Sequence, residues 1–90
     1  MERHFNIVVW GKVQGVTFRK FVKEQAQKLG IKGSVQNLPN GTVFIEAEAE
    51  EEKLNELIIL CQKGSPASEV TAVKYSVAQM QQLEDFEIKE

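Results

Sequence analysis

Ninety residues carry 11 Lys and Arg against 13 Asp and Glu, a net charge of −2, with 42% apolar and 27% charged residues. A chain of this size hides roughly 60–65% of the surface its unfolded form exposes, enough for one core and too little for two. No run approaches the ~18 apolar residues of a membrane span, and the slight acidity argues against a dedicated nucleic-acid binder.

Phe5, Ile7 and Val9 alternate with Asn6, Val8 and Trp10, a period of two that predicts a strand. Val8 and Trp10 make its second face apolar as well, as in a central strand. A Gly-punctuated stretch follows, Gly11 to Thr17. Phe18, Phe21, Val22, Gln25, Ala26 and Leu29 then fall at helical spacing, and Gly30 stops that helix. Ile31, Gly33 and Val35 predict a second, weaker strand. Asn37-Leu38-Pro39-Asn40-Gly41 is a hairpin signal. Val43, Ile45 and Ala47 predict a third strand, with Phe44 on its other face.

Glu50-Glu51-Glu52 opens a second helix with the apolar stripe Leu54, Leu57, Ile58 and Cys61. Gly64 ends it, and Pro66 reinforces the stop. Val70 to Val77 is a fourth strand, and Phe86 to Ile88 a short edge strand. The order β-α-β-β-α-β is the ferredoxin-like pattern of the α+β class. It places two helices on one face of a mainly antiparallel sheet of four to five strands. With no repeats, low-complexity tracts or linkers, residues 1–90 are expected to form one domain.

In this topology the first two strands are joined through a helix and run parallel. Their C-terminal ends, and with them the Gly11–Thr17 loop and Asn37, come to one end of the sheet. A site is expected there.

The two helix starts are opposite in charge. Three glutamates open the second, where the dipole favours negative charge. Arg19, Lys20 and Lys23 open the first, with no acid before Glu24. Free N–H groups and cations in one region favour an anion. The loop Gly11-Lys12-Val13-Gln14-Gly15-Val16-Thr17-Phe18-Arg19 has two readings. One is a turn glycine and a solvated arginine. In the other, Gly15 lets successive N–H groups converge into a nest, and Arg19 grips two phosphoryl oxygens with its planar fork. Neither GxxxxGK[ST] nor GxGxxG is present. Asn37 is either a turn former or an amide that orients a water beside the anion.

Gly11 to Arg19 resembles the G-x-V-Q-G-V-x-F-R signature of acylphosphatases. Leu29 to Gly41 resembles the family's second block, L-G-x-x-G-x-V-x-N-x-x-(D/N)-G, and Gly64-Ser65-Pro66-Ala67 with the strand from Val70 to Val73 also fits. The match spans essentially the whole chain, in order. The resemblance implies a small enzyme that hydrolyses acyl phosphates, the mixed anhydrides of carboxylic and phosphoric acids, to carboxylate and inorganic phosphate. It implies no metal and no cofactor. It makes Arg19 the phosphate-binding catalytic arginine and Asn37 the residue that positions the attacking water. The backbone of Gln14, Gly15, Val16, Thr17, Phe18 and Arg19 would form the rest of the phosphate cradle. The loose transition state of phosphoryl transfer suits such a site. These positions hold no Cys, His, Asp or Glu, so direct attack by water is expected, with no phospho-enzyme. Trp10, Thr17 and Ser34 depart from the usual pattern; Thr17 and Ser34 leave the Arg/Asn pair untouched, and Trp10 either narrows the site mouth or packs on the sheet.

Other residues carry bland expectations. Cys61 is a buried thiol on an apolar stripe, and as the single cysteine it points to a cytoplasmic setting. The N-terminus has no apolar stretch typical of a secretion signal. His4 lacks ligand partners and is expected on the surface or on an edge strand. Glu46, Glu48 and Glu50 to Glu52 are expected to form a solvated face. Phe5, Phe18, Phe21 and Phe44 sit at core periods, Phe18 beneath the loop, and Trp10 is expected to pack on the sheet.

The competing reading is a non-catalytic phosphate- or anion-binding regulatory module on the same fold; acylphosphatase-like domains also occur inside larger proteins, such as hydrogenase-maturation carbamoyltransferases. A chain ending at Glu90 with both Arg19 and Asn37 favours the free enzyme. An RNA-binding domain would need exposed aromatics in an RNP1-like strand, a motif that Thr42 to Glu46 lacks, and a metal chaperone would need a CxxC pair. The expected partner is a small-molecule acyl phosphate, with no nucleic acid and no membrane. No long exposed apolar pattern is evident, so a monomer is expected.

Overall fold

The computed structural model describes residues Met1–Glu90. Its elements are β1 (Glu2–Lys12), α1 (Phe18–Lys28), β2 (Lys32–Asn37), β3 (Val43–Glu50), α2 (Glu51–Lys63), β4 (Glu69–Ala78) and β5 (Phe86–Lys89). One five-stranded sheet has the spatial order β4-β1-β3-β2-β5. β1 pairs antiparallel with β3 and β4, β2 pairs antiparallel with β3, and β5 joins β2 in parallel. This is the expected ferredoxin-like arrangement with the β5 edge strand present.

Alternation decides which sheet face is covered. Phe5, Ile7 and Val9 of β1, Val35 of β2, and Val43, Ile45 and Ala47 of β3 are buried in a single cluster with helix residues. α1 contributes Phe18, Val22 and Ala26, one residue every four, and α2 contributes Leu54, Leu57, Ile58 and Cys61. Each set forms one stripe along its helix, so each helix buries a single face. Burial pushes the Cys61 thiol up to about 12, because the apolar cluster disfavours the thiolate. Phe21 and Phe44 are only half-buried. Phe21 packs at the margin of the cluster, and Phe44 lies on the opposite sheet face.

That opposite face corrects two expectations. β4 and β5 form the two edges of the sheet, so their connection, residues 79–85, must cross all the intervening strands. It crosses as a strap held by Glu48. The backbone N–H of Gln81 donates to Glu48 Oε2 and that of Leu83 to Oε1. The Gly33 N–H donates to the Asp85 carbonyl at 2.8 Å. Glu48 is therefore not part of a solvated face; it is 4% exposed. His4 is neither on the surface nor on an edge strand. β1 begins at Glu2, so His4 lies on a central strand, directly opposite Glu48, and is fully buried. The pairing of β1 with β3 carries the strand past the apolar run that marks it in the sequence, into Glu2, Arg3 and His4.

Candidate active site

β1 and β2 both run antiparallel to β3, so they are parallel to each other and end at the same side of the molecule. Val9 and Asn37 each pair with Val43, from its two sides. Directly paired residues share a face of the sheet. Asn37 therefore lies on the helix-covered face, at the end where the chain turns from β1 into α1. It is half-buried. Its Oδ1 is enclosed and has no hydrogen-bond partner in the fold. Leaving such an atom unpaired costs about 1–3 kcal/mol.

The connection between β1 and α1 is anchored at both ends. Val13 and Phe18 are each 1% exposed and belong to the core. Between them the backbone turns twice into the left-handed region, at Gly15 (φ +71°) and at Thr17 (φ +60°). Space is open around Gly15, so the dihedral and not crowding favours glycine there. Thr17 adopts this conformation as the N-cap of α1, with no side-chain cap bond; its hydroxyl donates to the Val16 carbonyl instead. Nothing in the local sequence marks Thr17 for this conformation, which Gly, Asn and Asp adopt more readily.

These turns leave a run of backbone donors unpaired. The first N–H of α1 to find a carbonyl is that of Phe21, on Thr17 at 3.1 Å. The N–H groups from Gly15 to Lys20 have no partner within the fold. Alternating left- and right-handed residues at a helix start make a concave anion-binding surface. The first turn of α1 contains no acidic residue.

Arg19 is half-buried and its Nη1 donates to the carbonyl of Lys89 at 3.2 Å. Lys89 pairs with Gln36, the residue before Asn37. The guanidinium is thus held above the end of β2. On the other side, Gln14 Nε2 donates to the carbonyls of Leu38 and Thr42, each at 2.8 Å. Leu38 is the residue after Asn37. The expected residues Gln14 to Arg19 and Asn37 are therefore gathered at one end of the sheet. The side-chain tether of Gln14 and the contact of Arg19 with the β5 backbone were not expected, since no local spacing signals bonds across 24 to 70 residues.

Trp10 and Ser34 lie on the other sheet face. Trp10 is 37% exposed, with Lys74 Nζ 5.9 Å from its ring centroid. Ser34 is buried beside the strap. Neither faces the site.

The acylphosphatase family model matches residues 5–88. The chain is 43% identical to an acylphosphatase of Archaeoglobus fulgidus over 91% of its own length and 92% of that protein. It is 46% identical to an acylphosphatase of Bacillus licheniformis over 92% of its length and 90% of that protein. The crystal structure of acylphosphatase from Bacillus subtilis superposes with a TM-score of 0.95 at 35% identity, covering both chains fully. Full-length HypF in its phosphate- and nucleotide-bound form matches with a TM-score of 0.86 at 30% identity, over all of this chain and 12% of that one.

Proposed function

This chain belongs to the acylphosphatase family and is a hydrolase of acyl phosphates, and we propose that it works by direct attack of water, with Arg19 and the loop N–H groups holding the phosphoryl group and Asn37 orienting the water. The observation that carries this reading is the unpaired run of backbone N–H groups from Gly15 to Lys20 at the same end of the sheet as Asn37.

The chemistry asks little beyond position and charge. As the anhydride P–O bond breaks, its electron pair leaves with the carboxylate, a good leaving group. A new bond forms from water oxygen to phosphorus. Charge on the phosphoryl oxygens is met by fixed N–H dipoles, the α1 N-terminus and the Arg19 fork, all in place before reaction. Asn37 holds the water by a hydrogen bond to its side-chain amide and so aims a lone pair at phosphorus. An amide does not take the proton. The proton passes to a phosphoryl oxygen of the substrate, and no phospho-enzyme forms. A monomer in the cytoplasm, acting on small molecules without nucleic acid or membrane, belongs to the same reading; the single, buried Cys61 suits a reducing compartment.

Benzoyl phosphate hydrolysis in EDTA by the parent, Arg19→Ala and Asn37→Ala tests this. Turnover by the parent, loss of both turnover and phosphate inhibition in Arg19→Ala, and loss of turnover alone in folded Asn37→Ala are expected. A folded parent that binds phosphate without turnover would instead be an anion-binding module.

A further inference from the structure

We propose that Gln14 is a positioning residue for this reaction: its side-chain amide sets the phosphate loop at a fixed height against Asn37. The inference rests on the reading of Asn37 as the water-orienting residue.

Two hydrogen bonds join the 13–17 loop to the hairpin after β2, and both come from Gln14 Nε2. Both N–H groups of one amide are used, each at 2.8 Å, on the carbonyls of Leu38 and Thr42. The hairpin is already closed without them. Leu38 N donates to the Thr42 carbonyl and Gly41 N to the Leu38 carbonyl, while Asn40 Oδ1 accepts from the Thr42 N–H and hydroxyl. The two carbonyls that Gln14 grips are the same ones that close the turn.

The Thr42 carbonyl is the key atom. It accepts from Leu38 N, which belongs to the peptide joining Asn37 to Leu38, and from Gln14 Nε2. The peptide plane that carries Asn37 and the loop that carries the N–H groups therefore share one acceptor. Gln14 is also the residue immediately before Gly15, where the loop first turns left-handed. A displaced Gln14 shifts the donors on the loop relative to the amide on β2. An error of about 1 Å between reacting partners can cost on the order of a hundredfold in rate. A planar amide of this length supplies two donors without a charge, and a charged donor here would compete with Arg19 for the phosphoryl group.

The test is a double-mutant cycle between Gln14→Met, which keeps the length and removes both donors, and Asn37→Ala. kcat, KM and the inhibition constant for inorganic phosphate are measured for parent, single and double variants, each checked for fold by circular dichroism. Gln14→Met is expected to lower kcat by roughly tenfold to a hundredfold, with the phosphate inhibition constant within about twofold of the parent. The double variant is expected to be no slower than Asn37→Ala. Gln14→Glu, which keeps the shape and turns acceptors toward the carbonyls, carries the same measurement where Gln14→Met does not fold. An unchanged kcat, or losses that add fully in the double variant, would overturn the proposal. A parental kcat in Asn37→Ala would instead overturn the reading of Asn37, whatever Gln14 does.

Discussion

His4 and Glu48 face each other across the β1–β3 ladder, imidazole Nδ1 to carboxylate Oε2 at 2.7 Å, with both side chains shut off from solvent. The other ring nitrogen of His4 lies 3.0 Å from Asn6 Oδ1. Glu48 has further partners, the N–H groups of Gln81 and Leu83 in the strap over the sheet. Burial of Glu48 works against its ionisation. The Gln81 N–H, His4 and the Leu83 N–H outweigh that cost and hold its carboxyl below the ordinary value of 4.5.

A carboxyl lowered in the folded state stabilises fully above its unfolded value and less as pH falls through the folded one. The parent should lose stability as pH drops below about 4.5. Glu48→Gln turns an amide nitrogen toward one strap N–H. It should cost about 1–3 kcal/mol at neutral pH and flatten the acid limb. Urea unfolding of both proteins between acid and neutral pH measures this. An equally steep acid limb in Glu48→Gln would assign the pH dependence to other carboxylates.

Arg19 is expected to resist replacement even by lysine. Lysine keeps the charge but loses the planar fork that meets two phosphoryl oxygens. Arg19→Lys should fall at least about tenfold in kcat/KM, a loss of about 1.4 kcal/mol in transition-state binding. Arg19→Ala should fall further. The side chain is half-buried and bonded only to the Lys89 carbonyl, so both variants should keep most of the parent's thermal stability. Steady-state assays beside thermal melts check this, and parental activity in Arg19→Lys would refute the two-oxygen grip.

Phe18 is 1% exposed and opens α1 directly beneath the loop, with its ring centroid 6.0 Å from that of Phe21. Phe18→Ala should cost about 3–5 kcal/mol by lost burial and the cavity left behind. Against a total of roughly 5–15 kcal/mol for an ordinary domain, that is a large share. Urea denaturation gives the number, and a cost under about 1 kcal/mol would mean the site relaxes to fill the space.

Cys61 lies in the core with its thiol pushed up to about 12 by burial. A thiol reagent at neutral pH should leave the folded protein unlabelled and label it fully in denaturant, since the thiolate is the reactive form. Labelling of the native state at the rate of a free thiol would mean that α2 opens readily.

Periodicity and punctuation are local properties, and what they govern was legible. The strands β1 to β4, both helices, their order and the glycine turn of the loop follow from residue spacings within one element. The reversed charge at the start of α1 is likewise a local pattern. Because β1 and β2 must run parallel once a helix joins them, even the end of the sheet holding Gln14 to Arg19 and Asn37 could be read. Partners across the sheet could not. His4 reads as a solitary polar residue until strand register puts Glu48 opposite it. Glu48 reads as one more surface acid until the β4–β5 connection is forced over the sheet by the edge positions of those strands. Gln14 looks like one loop residue among several until folding brings the carbonyls of Leu38 and Thr42 within 2.8 Å. Hydrogen bonds are short and directional, so their partners depend on where the whole fold places each group, and sequence spacing carries no record of that.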